Sequence, residues 1–129
     1  MSSHASIGVE IRVIASLIQS LIDLNAQYRE LSQMKTCGGK IEKVDVVVKD
    51  PNGRDIGFQK TEKGDYRVVC DSDGLDQKQL KKQRDFVKQV RQRYAYNKVL
   101  DELKNQGYII AEEQKVQDNT IRIVARKWS

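Results

Sequence analysis

The residues best able to do chemistry crowd into one stretch. KKQRDFVKQVRQRYAYNKVL, residues 81–100, opens with a run of cations. Lys78, Lys81, Lys82, Arg84, Lys88 and Arg91, with Arg93 behind them, place seven positive charges in residues 76–93 against Asp76 and Asp85. That excess equals the chain's whole net charge of +5, because the other 16 of 23 basic residues balance the other 16 of 18 acidic ones. Cations along a helix can neutralise phosphates and release counterions. They can also meet an acidic protein surface, or simply solvate the outer face of an amphipathic helix. The segment alone leaves all three readings open. No interleaved aromatic pair of the kind that stacks RNA bases occurs in the predicted strands.

Other chemistry is thinly provided. His4 is the only imidazole, so a nucleophile paired with a histidine base is not expected and the chain is read as non-enzymatic. Cys37 and Cys70 could pair, but the reducing compartment expected here argues against it. With one histidine they also fall short of the four ligands of a structural zinc site. Asp71-Ser72-Asp73-Gly74 with Asp76 resembles the start of a calcium loop. It lacks the glutamate at the twelfth position and the preceding helix, so it reads as a capping loop. Cys37-Gly38-Gly39-Lys40 lacks the spacing of a phosphate-binding loop and reads as a turn. Neither a cofactor nor a metal is expected.

The elements that must position the basic run are legible from periodicity. SIGVEIR, residues 6–12, alternates as a strand would. VIASLIQSLIDL, residues 13–24, repeats apolar groups at helical spacing and stops at Asn25. Residues 28–31 are a short strand candidate. Residues 44–49, 55–61 and 66–70 form an antiparallel meander, separated by Asp50-Pro51-Asn52-Gly53 and Glu62-Lys63-Gly64-Asp65. A long helix runs from about Asp76 to Gln106, with acidic residues at its positive end and Gly107 as its C-terminal cap. Residues 108–116 and 120–127 are two final strands. The expected fold is one α+β domain over residues 1–129. It has a mainly antiparallel sheet of five to seven strands, with a short N-terminal helix and the long basic helix on one face.

The long helix carries two apolar stripes. Leu80, Phe86, Val87, Val90 and Tyr94 share one sector, whereas Tyr96, Val99, Leu100 and Leu103 lie almost opposite. A straight helix on a single sheet cannot bury both. The helix must break near residues 93–95, or its two halves must pack on different neighbours, which could include another protomer or a partner protein. Arg93-Tyr94-Ala95-Tyr96-Asn97-Lys98 sits at this change of face. Each tyrosine can bury a ring there while its hydroxyl reaches a polar group.

The same segment carries a resemblance. RQRYAYNKVLDELKNQGY and then EEQKVQDNTIRIVARKW resemble the C-terminal half of a family of uncharacterised proteins of cyanobacteria, other bacteria and algal plastids, hypothetical chloroplast reading frame thirty-five. Members look like RYAYHKVLEEAKKQGF followed by an acidic stretch and TIRLVVRRW. The opening MSSHASIGVEI and the DIGF of residues 55–58 are also similar to family patterns. Asn97 stands where the family has histidine, and Ser72-Asp73-Gly74 replaces its tryptophans. The resemblance implies no established activity. An association with AAA-type ATPases through neighbouring genes implies an accessory role, with such an ATPase or a photosynthesis-related protein as partner.

No apolar run approaches the roughly 20 residues that span a bilayer, and no secretory signal is apparent. A cytoplasmic location is expected, or the plastid stroma for a plastid-encoded chain. The expected function is assembly or accessory work through contacts between proteins. Nucleic-acid binding by residues 78–93 is the alternative.

Overall fold

The computed structural model describes residues 10–115 and 121–127, with side chains as far as residue 108. Two helices and six strands follow one another as α1 (Ile14–Asp23), β1 (Tyr28–Lys35), β2 (Ile41–Lys49), β3 (Asp55–Lys60), β4 (Tyr66–Cys70), α2 (Gln77–Asn105), β5 (Tyr108–Lys115) and β6 (Ile121–Lys127). The first four strands make one antiparallel sheet in the order β1-β2-β3-β4. Among the described residues the last two pair only with each other. The fold is therefore α+β, as expected, but the main sheet has four strands because β5 and β6 form a separate hairpin.

The turns follow from their residues. Pro51 presets the second position of the β2–β3 turn, and Gly53 takes φ 78° in the left-handed region. The Asp50 carboxylate accepts from the amides of Asn52 and Arg54, both at 2.8 Å. β1 and β2 run longer than the sequence indicates. A 3-10 turn at Cys37–Gly39 joins them.

Both helices lie on one face of the sheet. Leu17 and Leu21 from α1 and Val90 and Tyr94 from α2 bury against Val46, Val48, Ile56 and Phe58. Helix α2 is unbroken from Gln77 to Asn105. Its first stripe lies on the protein's own sheet, and the helix also contacts α1 and β5. The helix therefore does not break at residues 93–95; of the second stripe Tyr96 is buried, whereas Val99 is exposed. Its start is a capping box: Asp76 accepts from the Gln79 amide at 2.8 Å, and the Gln79 side chain accepts from the Asp76 amide at 3.0 Å. Gly107, at φ 85°, follows its C-terminal end.

The predicted first strand is corrected where it can be seen. Residues 10–12 are not in a strand, and residues 6–9 lie outside the described residues. Ile11 is buried and its carbonyl accepts from the Tyr66 amide at 2.7 Å. Three residues later α1 begins, and among the described residues this is the one main-chain bond that the segment makes along the β4 edge.

The opposite face of the sheet is covered by the sheet's own first hairpin. At Leu31 the backbone takes φ 46°, and the regular pairing skips from Glu30–Val46 to Ser32–Val44. Beyond this point the hairpin bends across the back of β3 and β4. Met34 and Val44 pack with Val47 and Val69 there, and Glu42 pairs with Arg67 of β4 at 3.5 Å. Gly57 of DIGF lies beneath. A Cβ at that position would collide with the Met34 sulfur, and would sit 2.8 Å from Val44 Cγ1 and 2.9 Å from Val69 Cγ2. Only a residue without a side chain lets the hairpin close.

Candidate functional site

The basic residues sit on the outer side of α2. Lys78, Lys81, Lys82, Arg84, Lys88 and Arg91 are all exposed. Lys81, Arg84, Lys88 and Arg91 follow at intervals of three, four and three residues. They form one row about 15 Å long at 1.5 Å per residue. Among the described residues, only Lys81 of these six has an ion pair, with Asp85 at 3.7 Å. Both partners are well exposed, so that pair adds little stability.

The inner side of the same turns is a buried polar joint that periodicity did not reveal. Gln83 lies between Lys82 and Arg84, yet only 4% of it is exposed. Its amide nitrogen donates to Asp50 Oδ2 and to the Asp71 carbonyl, each at 3.0 Å, while Ser72 donates to its oxygen at 2.5 Å. Asn52 donates to the Gln79 carbonyl at 2.8 Å, and Arg54 pairs with Asp71 at 3.2 Å. The β2–β3 turn and the loop before α2 therefore fix the first turns of the helix. The available signal was spacing: position 83 precedes Val87, Val90 and Tyr94 by four, seven and eleven residues, all on one helical face.

The acidic loop does three separate tasks. Asp71 meets Arg54, Asp73 accepts from the Gly38 amide at 2.9 Å, and Asp76 caps α2. Among the described residues no group of three or more His, Cys, Asp or Glu side chains could hold a metal ion.

Arg93, Tyr94, Tyr96 and Asn97 form the joint between the two helices. Tyr94 and Tyr96 are both buried. The Tyr94 hydroxyl accepts from the amides of Arg12 and Val13, at 3.1 and 3.0 Å, and so fixes the entry into α1. Val13, the N-cap residue of α1, makes no side-chain cap hydrogen bond of its own. Arg93 lies over the Tyr96 ring, 4.6 Å from its centroid, and donates to Asp23 Oδ2 at 3.0 Å. Asn97, one turn on, donates to the same oxygen at 3.0 Å and to Ser20 Oγ at 3.1 Å. Burial pushes the Asp23 carboxyl up. The hydrogen bonds from Asn97, Gln19 and Arg93, with the charge of Arg93, outweigh this and hold it below the usual carboxylate range. Ser20 and Asp23 were not singled out in the sequence, since their partners lie more than 70 residues away. Between the helices a cleft of about 420 Å³ is lined by Ser16, Gln19, Asp23, Arg93, Asn97 and Lys104 among others.

The structure thus places the predicted residues in two groups: an exposed cationic row, and a buried or half-buried joint. With this geometry in view, residues 20–124 match the model of the family described as "Protein of unknown function (DUF1257)". The chain belongs to this family. It is 33% identical over 114 residues to the "Uncharacterized protein ycf35" of Cyanophora paradoxa, covering 88% of this chain and 87% of the relative. It is 26% identical over 130 residues to the protein of the same name from Pyropia yezoensis, covering 100% and 99%. No solved structure matches the chain significantly. The resemblance inferred from RYAYNKVL and DIGF therefore holds. Asn97, where the family pattern has histidine, makes contacts of a kind that a ring N–H could also donate.

Proposed function

We propose that this protein is a non-enzymatic accessory or assembly factor that docks an acidic protein partner on the outer row of α2. The observation that carries this reading is the division of labour across one helix. Gln83, Val90 and Tyr94 are buried inward, while Lys81, Arg84, Lys88 and Arg91 face outward, mostly without an ion pair among the described residues. A row of fixed-spacing cations on a rigid scaffold can recognise a matching acidic surface and steer its approach. The groups that meet at the helix joint hydrogen-bond to one another. Among the described residues no helix is long and apolar enough to cross a membrane. An AAA-type ATPase or a photosynthesis-related protein, in the plastid stroma or a bacterial cytoplasm, is the partner class in view.

The test is affinity capture of the tagged chain, with and without nuclease, alongside a variant in which Lys81, Arg84, Lys88 and Arg91 are all changed to Glu. The expected result is a stoichiometric protein that survives nuclease and is lost from the variant. Retention by the variant overturns the docking reading. The second reading, nucleic-acid binding by the same row, rests on the same exposure of charge. It predicts oligonucleotide affinity that falls log-linearly with salt, by a slope near the number of phosphates contacted.

A further inference from the structure

The bend in the β1–β2 hairpin brings together two residues far apart in sequence. Cys37 at its tip reaches the end of β4, where its Sγ lies 3.8 Å from the main-chain oxygen of Cys70. Both thiols are free; Cys37 is exposed and Cys70 is half-buried. The tip is already anchored nearby, since Gly38 donates to Asp73, three residues beyond Cys70. Gly38 and Gly39 both lie in the left-handed region, at φ 81° and 76°. No Cβ at Gly38 or Gly39 would meet anything closer than 3.9 Å. Glycines in open space let the tip adjust until two sulfurs reach bonding geometry, which requires Cα atoms within about 7 Å.

We propose that Cys37 and Cys70 are a site of reversible oxidative modification, closing to a disulfide that locks the folded-over hairpin onto the strand leading into α2. The co-reactant is hydrogen peroxide. The exposed Cys37 thiolate attacks one peroxide oxygen, the O–O bond breaks, and water leaves once the departing oxygen is protonated. Cys37 is then a sulfenic acid, oxidised by two electrons as the peroxide is reduced. The Cys70 sulfur attacks the Cys37 sulfur. The S–S bond forms, the S–O bond breaks, and the departing hydroxide takes the Cys70 proton as a second water. Burial, with smaller contributions from Asp50 and Cys37, pushes the Cys70 thiol up despite Arg91 nearby. This suits a resolving role better than first attack. A dithiol reverses the bond by two exchange steps. In a reducing compartment such bonds are typically transient sensors, not permanent staples.

The test treats the full chain with hydrogen peroxide and then with dithiothreitol, reading intact mass, free thiols and cross-linked peptides. The expected product is a monomer lighter by two hydrogens, without free thiols, whose Cys37 and Cys70 peptides are joined and separate again on reduction. Its unfolding midpoint rises by about 10 °C, as a closed loop of this length predicts. In Cys70→Ala the Cys37 sulfenic acid persists and is trapped by dimedone; in Cys37→Ser the Cys70 thiol stays reduced. Dimers joined through Cys37, over-oxidation of Cys37 without a cross-link, or two unreacted thiols in the wild-type chain would each overturn the proposal. The wild-type peptide map decides the matter even if a variant folds poorly.

Discussion

At the residue scale, Tyr94 and Asn97 show how a conspicuous segment can be structural. The Tyr94 hydroxyl serves two main-chain amides at the start of α1. Tyr94→Phe keeps the buried ring and leaves those amides without that acceptor, so it should lower stability by about 1–3 kcal/mol in chemical denaturation. Asn97 and Arg93 converge on Asp23. Asn97→His retains a donor and should hold most of the stability, whereas Asn97→Leu should lose about 1–2 kcal/mol. Asp23 also sets a pH dependence. Its folded carboxyl titrates below the unfolded value, so its stabilisation is complete above about pH 4 and is lost as pH falls through the lower folded value. Urea midpoints against pH should therefore fall less steeply at low pH in Asp23→Asn than in the wild type. Equal slopes would count against this joint.

At the scale of elements, local signals were read well and folded-over ones were not. Asp76, Gly107, Pro51 and the alternation of residues 55–60 act within a few residues of themselves. The helix caps, the turn and the meander were therefore visible in the sequence. The bend at Leu31 was not, because nothing local marks it: Leu31 is 85% exposed and adopts a left-handed φ that leucine disfavours. Gln83 and Asp50 were missed for the same reason, since their bond spans 33 residues. The two stripes of α2 are legible in the sequence, but a single sequence could not show that the helix runs unbroken through the change of face. The bend has testable consequences. Gly57→Ala forces a Cβ into Met34, Val44 and Val69 and should destabilise by about 1–3 kcal/mol through overpacking. Leu31→Asn relieves the backbone at a solvent-facing position and should stabilise by up to about 1 kcal/mol. Thermal melts of the two variants should move in opposite directions.

At the scale of the whole molecule, a rigid frame is built beneath one charged row. The sheet, its folded-back hairpin and α1 hold the inner face of α2. The polar joint around Gln83 fixes the helix where the cations begin. Positive charge that is spread over a surface mainly aids solubility, but here the entire net excess lies in residues 76–93. If the row docks a partner as proposed, it is free on the surface and is not needed by the fold. The most direct measurement sets the stability of the Lys81, Arg84, Lys88 and Arg91 charge-reversal variant beside its partner capture. The expected result is an unfolding free energy within about 1 kcal/mol of the wild type, as for exposed positions, together with loss of the captured protein. A variant that unfolds, or that stays folded and still captures the same partner, would contradict it.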